Sequence, residues 1–232
     1  MKDLSIIFPV YNESETIEQV LQEWKKSFDK TDISYDLVVC EDGSKDGTTE
    51  LLQKIQKEYN LVLNQKKIRR GYGGAVIDGI AESNSTYCLC VDSDGQCDPK
   101  DFTNFWTMKN NADVIIGWRQ DRADTMQRKF FSSLFKIFFT LLYGPSVHDP
   151  SAPYVLFKKE NIMPLLPYLR FLREGFWWGF IAACKKKGFT LVELPMNHRP
   201  RLKGDTQVYK PKEIPRIAFW NMIGLVKLRI TK

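Results

Sequence analysis

The chain is poor in the residues that build metal centres and disulfide frameworks. Only two histidines occur in 232 residues. His148 and His198 stand far apart without ligand spacing, which excludes a zinc site and leaves them as packing or hydrogen-bonding residues. The five cysteines include no CxxC pair, and Cys88 and Cys90 alternate within an apolar run as small buried hydrophobes do. An odd count without a framework points to a reducing compartment. No run approaches the roughly 18 apolar residues that a membrane span requires. The nearest stretches, 137–143 and 217–226, are long enough only to lie on a membrane. Met1-Lys2-Asp3 leads directly into Leu4-Ser5-Ile6 without a secretory leader pattern, so a cytoplasmic location is expected. A dinucleotide fingerprint is missing as well, because Val76 stands where Gly71-Tyr72-Gly73 would need a third glycine. No repeat or low-complexity tract divides the sequence.

What is present is an ordinary globular composition, 43% hydrophobic, with a formal charge of +6. Such a chain buries a substantial core, and its charge suits an anionic partner or simply a solubilising surface. The first half alternates strand-like and helix-like segments, which predicts an α/β fold with a mostly parallel sheet flanked by helices. Strands are expected at 4–10, 36–40, 61–64, 87–92 and 113–118. Asn12 with Glu15 reads as a capping box opening a helix toward Phe28, and Asp98-Pro99 as a second helix start.

In sheets of this kind, ligands bind outside the carboxyl ends of the strands. Three acidic loops fall there: Pro9-Val10-Tyr11-Asn12-Glu13, Glu41-Asp42-Gly43-Ser44-Lys45-Asp46-Gly47-Thr48, and Asp92-Ser93-Asp94-Gly95-Gln96. Asp92 and Asp94 are two positions apart, so a strand end would point both carboxylates the same way. Two such acids repel unless a cation lies between them, and a hard divalent ion with oxygen ligands meets that need. Asp-Ser-Asp-Gly is also ordinary turn chemistry. Glu13 equally suits the first turn of a helix, and a helix opening near Gly73 either offers N–H groups to phosphate or lets helix and sheet approach.

These loops, with Gly71-Tyr72-Gly73-Gly74-Ala75 and Gly79-Ile80, resemble the inverting family 2 glycosyltransferases of GT-A fold. The similarity is greatest to the dolichyl-phosphate mannose synthase and polyprenyl-phosphate glycosyltransferase branch. It implies a Rossmann-like GT-A fold whose nucleotide-sugar pocket involves Pro9, Tyr11, Glu13, Glu41, Asp42, Gly71, Asp92 and Ser93. It also implies that Asp92 and Asp94 hold Mg²⁺ or Mn²⁺ on the donor diphosphate, with Gln96 as a supporting ligand. Along the chain it implies one domain over 1–232. Residues 1–118 form the nucleotide-sugar and metal half, 119–210 the acceptor half, and 211–232 an amphipathic C-terminal helix.

In the acceptor half, Arg119, Arg122, Arg128 and Lys129 lead into Phe130-Phe131 and an apolar stretch, a combination that suits a phosphate head on a lipid tail. A core helix with a solvated basic face would look the same. The resemblance assigns Arg119 and Arg128 to the acceptor phosphate. Arg201 and Lys203, in a loop where Thr206 takes the family's serine position, are candidates for closing over phosphates. Around Asp149 the chain departs from the family pattern, with Pro153 replacing a glycine and Val155 an arginine. Asp149 is open to three roles: catalytic base, acceptor-orienting group or helix cap.

The reaction implied is metal-dependent, inverting transfer of a sugar from GDP-mannose or a UDP-sugar to dolichyl or polyprenyl phosphate. A lipid phosphate is largely ionised near neutrality and needs no strong base. Transfer to a saccharide hydroxyl would need one, with Asp149 or Glu174 as the candidate. A non-catalytic nucleotide-sugar-binding subunit is the remaining alternative. The partners expected are the donor, the lipid phosphate, the cytoplasmic face of a membrane and a membrane protein, but no nucleic acid. Ile217, Phe219, Trp220 and Leu225 among Arg216, Lys227 and Arg229 predict an interfacial helix, or one packed on the same domain.

Overall fold

The computed structural model describes residues 1–119, 126–145, 147–170, 172, 175–203 and 214–231. Arg122, Glu174 and Thr206, and the side chain of Arg128, lie outside the described residues.

Seven strands form one sheet: β1 (Lys2–Val10), β2 (Tyr35–Glu41), β3 (Leu61–Gln65), β4 (Ser85–Cys90), β5 (Val114–Arg119), β6 (Val155–Lys158) and β7 (Leu191–Met196). Their order is β3-β2-β1-β4-β6-β5-β7. All pairings are parallel except those of β6, which runs antiparallel to both β4 and β5. The helices are α1 (Ile17–Phe28), α2 (Thr48–Tyr59), α3 (Tyr72–Glu82), α4 (Phe102–Thr107), α5 (Met126–Tyr143), α6 (Lys159–Ile162), α7 (Leu166–Leu169), α8 (Phe176–Lys186) and α9 (Ile214–Ile230). A short 3₁₀ turn over Pro99–Asp101 opens as the sequence predicts, with Asp98 accepting from the Lys100 N–H at 2.9 Å.

Alternation along the strands sends side chains into two cores. Ile7, Val38, Cys40, Cys88, Cys90 and Val155 face α3, α5, α8 and α9. Ile6, Phe8, Leu37, Val39, Leu89 and Leu156 face α1, α2 and α4. Helix α3 sits directly on β1 because Gly79 has no side chain there; a Cβ at that position would run into Ile7.

Three local expectations change. Strand β4 ends at Cys90, so Asp92 and Asp94 lie on the loop beyond it rather than on one strand face. Gly95, at φ +80°, turns this loop back under Leu202. Helix α1 begins at Ile17, since Asn12 adopts φ +54°, outside the extended conformation an N-cap needs. Helix α9 is not amphipathic: Ile217, Leu225 and Leu228 are buried, while Phe219, Trp220, Val226 and Ile230 are apolar and exposed on the other side.

Candidate active site

The loop after β1 is stitched to the loop after β2. Asn12 N–H donates to Ser44 Oγ (2.9 Å), Glu13 N–H to Thr48 Oγ1 (3.0 Å) and Ser14 N–H to Asp46 Oδ2 (3.1 Å). Asn12 Oδ1 accepts from the Lys45 N–H at 2.9 Å. Asn12 and Glu13 therefore serve the join between loops, which explains why Asn12 does not cap the helix. The β4 loop joins from the other side through Ser93 Oγ, which donates to the Pro9 carbonyl at 2.9 Å.

A cleft opens at this edge, lined by Pro9, Val10, Tyr11, Glu13, Asp42, Arg69, Tyr72, Ala75, Asp92, Ser93, Asp94 and Arg201. At its floor the two acids are held differently. Asp92 Oδ1 accepts from the Tyr72 hydroxyl at 2.9 Å, and Asp94 Oδ1 accepts from the Gln96 backbone N–H at 3.0 Å. Each acid is thus fixed through one oxygen, leaving Asp92 Oδ2 without a hydrogen-bond partner among the described residues and Asp94 Oδ2 facing Arg201 at 3.5 Å. Burial, then the charge of Asp94, raises the Asp92 carboxyl above its ordinary range, opposed by Tyr72 and the cations Arg119 and Arg201. Two carboxylate oxygens that crowd each other's charge fit a hard divalent cation completed by diphosphate and water oxygens. Among the described residues no group of three or more histidine, cysteine or carboxylate ligands gathers, so the protein's share of such a site is this pair.

Arg201 bridges Glu13 and Asp94, residues of two different loops. Burial raises the Glu13 carboxyl, while the Thr16 hydroxyl and Arg201 pull it back. The segment carrying Arg201, beyond β7, is pinned by Arg199, whose fork holds Glu23 at 2.6 and 2.9 Å and the Cys97 carbonyl at 2.9 Å.

Several predicted residues have other work. Asp42 lines the cleft, but its carboxylate accepts from the backbone N–H groups of Arg70 (2.8 Å) and Gly71 (2.7 Å), fixing the start of α3. Glu41 is buried and accepts from the Ser44 N–H at 2.5 Å, away from the cleft lining. Gln96 turns its amide nitrogen to the Arg199 carbonyl at 3.2 Å, and Lys203 is exposed, with its carbonyl accepting from Arg201 Nε at 3.0 Å. Neither lines the cleft. Arg119 grips Asp149 through two bonds of 2.6 and 3.0 Å and also reaches Ser151. Burial works against the Arg119 charge, but the Asp149 carboxylate outweighs it and raises the guanidinium further. This pair lies behind the lining, near enough for Arg119 to favour ionised Asp92.

Arg69 was missed by sequence reasoning. Its guanidinium stacks on the Tyr11 ring at 3.7 Å, and both residues line the cleft. The signal was available in Arg69-Arg70 immediately before Gly71. Trp177 was also missed; its indole N–H donates to Tyr72 from α8 at 2.9 Å.

The chain is 29% identical over 97% of its length to a dolichyl-phosphate beta-glucosyltransferase of Dictyostelium discoideum, covering 77% of that protein. It is 22% identical to an undecaprenyl-phosphate 4-deoxy-4-formamido-L-arabinose transferase of Salmonella choleraesuis, over 89% of this chain and 63% of that one. Among solved structures, glucosyl-3-phosphoglycerate synthase from Mycobacterium tuberculosis, in complex with Mn²⁺, uridine diphosphate and phosphoglyceric acid, superposes with a TM-score of 0.70 at 15% identity, covering 100% of this chain and 80% of that one. The model of the family described as "Glycosyl transferase family 2" matches residues 5–182. With a mostly parallel sheet and an acidic cleft at its carboxyl edge, the chain is a GT-A glycosyltransferase and belongs to glycosyl transferase family 2.

Proposed function

We propose that the protein transfers a sugar from a nucleoside-diphosphate sugar to a polyprenyl or dolichyl phosphate, using Mg²⁺ or Mn²⁺ held by Asp92 and Asp94. The observation that carries this reading is the pair of carboxylates lining the cleft, each held through one oxygen, with Asp94 Oδ2 facing Arg201 at 3.5 Å. A divalent cation bound there supplies positive charge to the departing diphosphate. Arg201 sits beside the same oxygens and adds a second cation to the leaving group. Tyr11 and Arg69 offer a flat surface for the base, and Ser93 holds the β4 loop against Pro9. The dolichyl-phosphate beta-glucosyltransferase relative favours glucose over mannose as the sugar.

Arg119 is the acceptor-side cation of this reading, and Arg128 joins it as a proposal on sequence alone. A lipid phosphate arrives ionised, so Asp149 is needed to orient Arg119 rather than to take a proton. The bidentate Arg119–Asp149 pair supports that division of labour over hydroxyl transfer with Asp149 as base.

Acceptor delivery falls to the exposed apolar side chains Leu134, Ile137 and Leu141 of α5 and Phe219 and Trp220 of α9. These helices pack on one another, joined by the Tyr143 hydroxyl bonding to the Leu225 carbonyl at 2.7 Å. With exposed Arg216, Lys227 and Arg229 on α9, they suit the surface of an anionic bilayer on its cytoplasmic face. No helix among the described residues is long and apolar enough to cross it.

The test is a panel of UDP- and GDP-sugars with Mn²⁺ or Mg²⁺, offered a polyprenyl phosphate or a free saccharide. Formation of a lipid-extractable sugar phosphate supports the reading; product only from the saccharide rejects it.

A further inference from the structure

We infer that Tyr72 and Trp177 form a one-way hydrogen-bond relay that positions Asp92, so that α8 in the later half of the chain sets the donor-side carboxylate. This inference rests on the functional reading above and adds two positioning residues to it. An indole N–H can only donate. Trp177 Nε1 lies 2.9 Å from the Tyr72 hydroxyl, so that oxygen accepts, and its single proton is committed to Asp92 Oδ1 at 2.9 Å. The direction of the chain is therefore fixed from Trp177 through Tyr72 to Asp92. Without its donor, Asp92 could turn either oxygen to the cleft; with it, Oδ2 is presented.

The relay is braced at both ends. Trp177 is buried between Phe176 and Phe180, with ring centroids 5.0 and 5.3 Å away, both edge-on. Tyr72 opens α3 directly after Gly71, whose N–H is held by Asp42, so the ring emerges from a fixed backbone. Asp94 needs no such device, since a backbone N–H two residues along locks it. The two acids thus differ in origin of constraint: one is set by its own loop, the other by Tyr72, itself held by a tryptophan 105 residues further along the chain.

Mn²⁺ binding, read by electron paramagnetic resonance with UDP present and no acceptor, tests the relay apart from turnover. Tyr72→Phe keeps the ring and removes the hydroxyl. It should weaken Mn²⁺ binding by about 10- to 100-fold, the usual cost of losing a group that orients a metal ligand. Trp177→Phe acts one step further away and should cost about 2- to 10-fold, as for one net hydrogen bond. The double variant should bind no more weakly than Tyr72→Phe alone, because Trp177 works only through Tyr72. Thermal unfolding of each variant separates loss of the relay from loss of fold, and Trp177→Phe keeps the test alive if Tyr72→Phe does not fold. Unchanged Mn²⁺ affinity in folded single variants, or losses that multiply in the double variant, would overturn the inference while leaving the functional reading intact. A wild-type protein that binds no Mn²⁺ with UDP overturns both.

Discussion

The donor half and the later half face each other across one cleft, and they are built by different means. Strands β1 to β4 are parallel neighbours, and the loops after β1, β2 and β4 carry the acids Glu13, Asp42, Asp92 and Asp94. The loops after β1 and β2 are tied by hydrogen bonds from backbone N–H groups to short polar side chains, and the loop after β4 by the Ser93 hydroxyl donating to the Pro9 carbonyl. The later half contributes cations, and each is positioned by an ion pair: Arg119 on Asp149, Arg199 on Glu23, Arg201 on Glu13 and Asp94. One half is held by neutral and carboxylate hydrogen bonds between neighbouring loops, and the other by ion pairs of arginines with carboxylates. Repulsion among the acids is relieved by the arginines, so neither half reaches its working arrangement alone.

The largest effect should come from emptying the donor side. Asp94→Ala removes a proposed oxygen ligand and one of Arg201's two carboxylate partners, and should lower kcat by about 10²- to 10³-fold. Steady-state transfer with saturating donor checks it; a loss confined to KM would assign Asp94 to binding alone. The matching break on the later side is Arg119→Ala, which takes the bidentate cation from the buried Asp149 carboxylate while its bonds from Ser151 remain. A cost of about 3–5 kcal/mol in urea unfolding is expected. Replacing both partners by apolar residues should recover much of that loss, whereas replacing Arg119 alone should not.

The seam between helix and sheet in the donor half gives the next effect. Gly79→Ala puts a Cβ into Ile7 and should destabilise by about 1–3 kcal/mol, with the nucleotide site displaced through α3. On the later half, Phe219→Ser with Trp220→Ser removes exposed apolar surface. Binding to anionic vesicles should fall by about tenfold or more. Stability should change by no more than about 0.5 kcal/mol per site, because neither side chain is in the core. Destabilisation instead would mean that α9 closes the domain rather than meeting lipid. The smallest effect belongs to the surface pair Lys25–Asp29, where Lys25→Ala should cost at most about 0.5 kcal/mol and leave transfer unchanged.

The same contrast governs what could be read from the sequence. The first half announces itself through local pattern: β1, β2 and β3 fall where apolar alternation puts them, and each acidic loop follows its strand. In the later half, β6 is four residues long and comes just after Pro153, too short for a periodic signal. Strand β7 is a half-buried edge containing Pro195, a residue that argues against a strand unless the edge position is known. The acidic pair was legible as a cluster, but its geometry was not, because Gly95 and the Gln96 N–H shape a loop where an extended strand was expected. Glu41 is expected beside the nucleotide by type and place, and the sequence does not show that its carboxylate accepts from the Ser44 N–H. Tyr72 and Trp177 could not be paired from sequence at all, since only the tertiary fold brings the first turn of α8 to the first turn of α3.

The central claim is that Asp92 and Asp94 anchor a donor diphosphate through a divalent cation for transfer to a lipid phosphate. Its most direct test is sugar transfer from UDP-glucose to polyprenyl phosphate, by wild type and Asp94→Asn, before and after chelation and after Mn²⁺ is restored. Wild type should form the glycolipid, lose it on chelation and regain it with Mn²⁺, while Asp94→Asn should stay near background throughout. Glycolipid formation that continues at full rate in chelator, or in Asp94→Asn, would contradict the account.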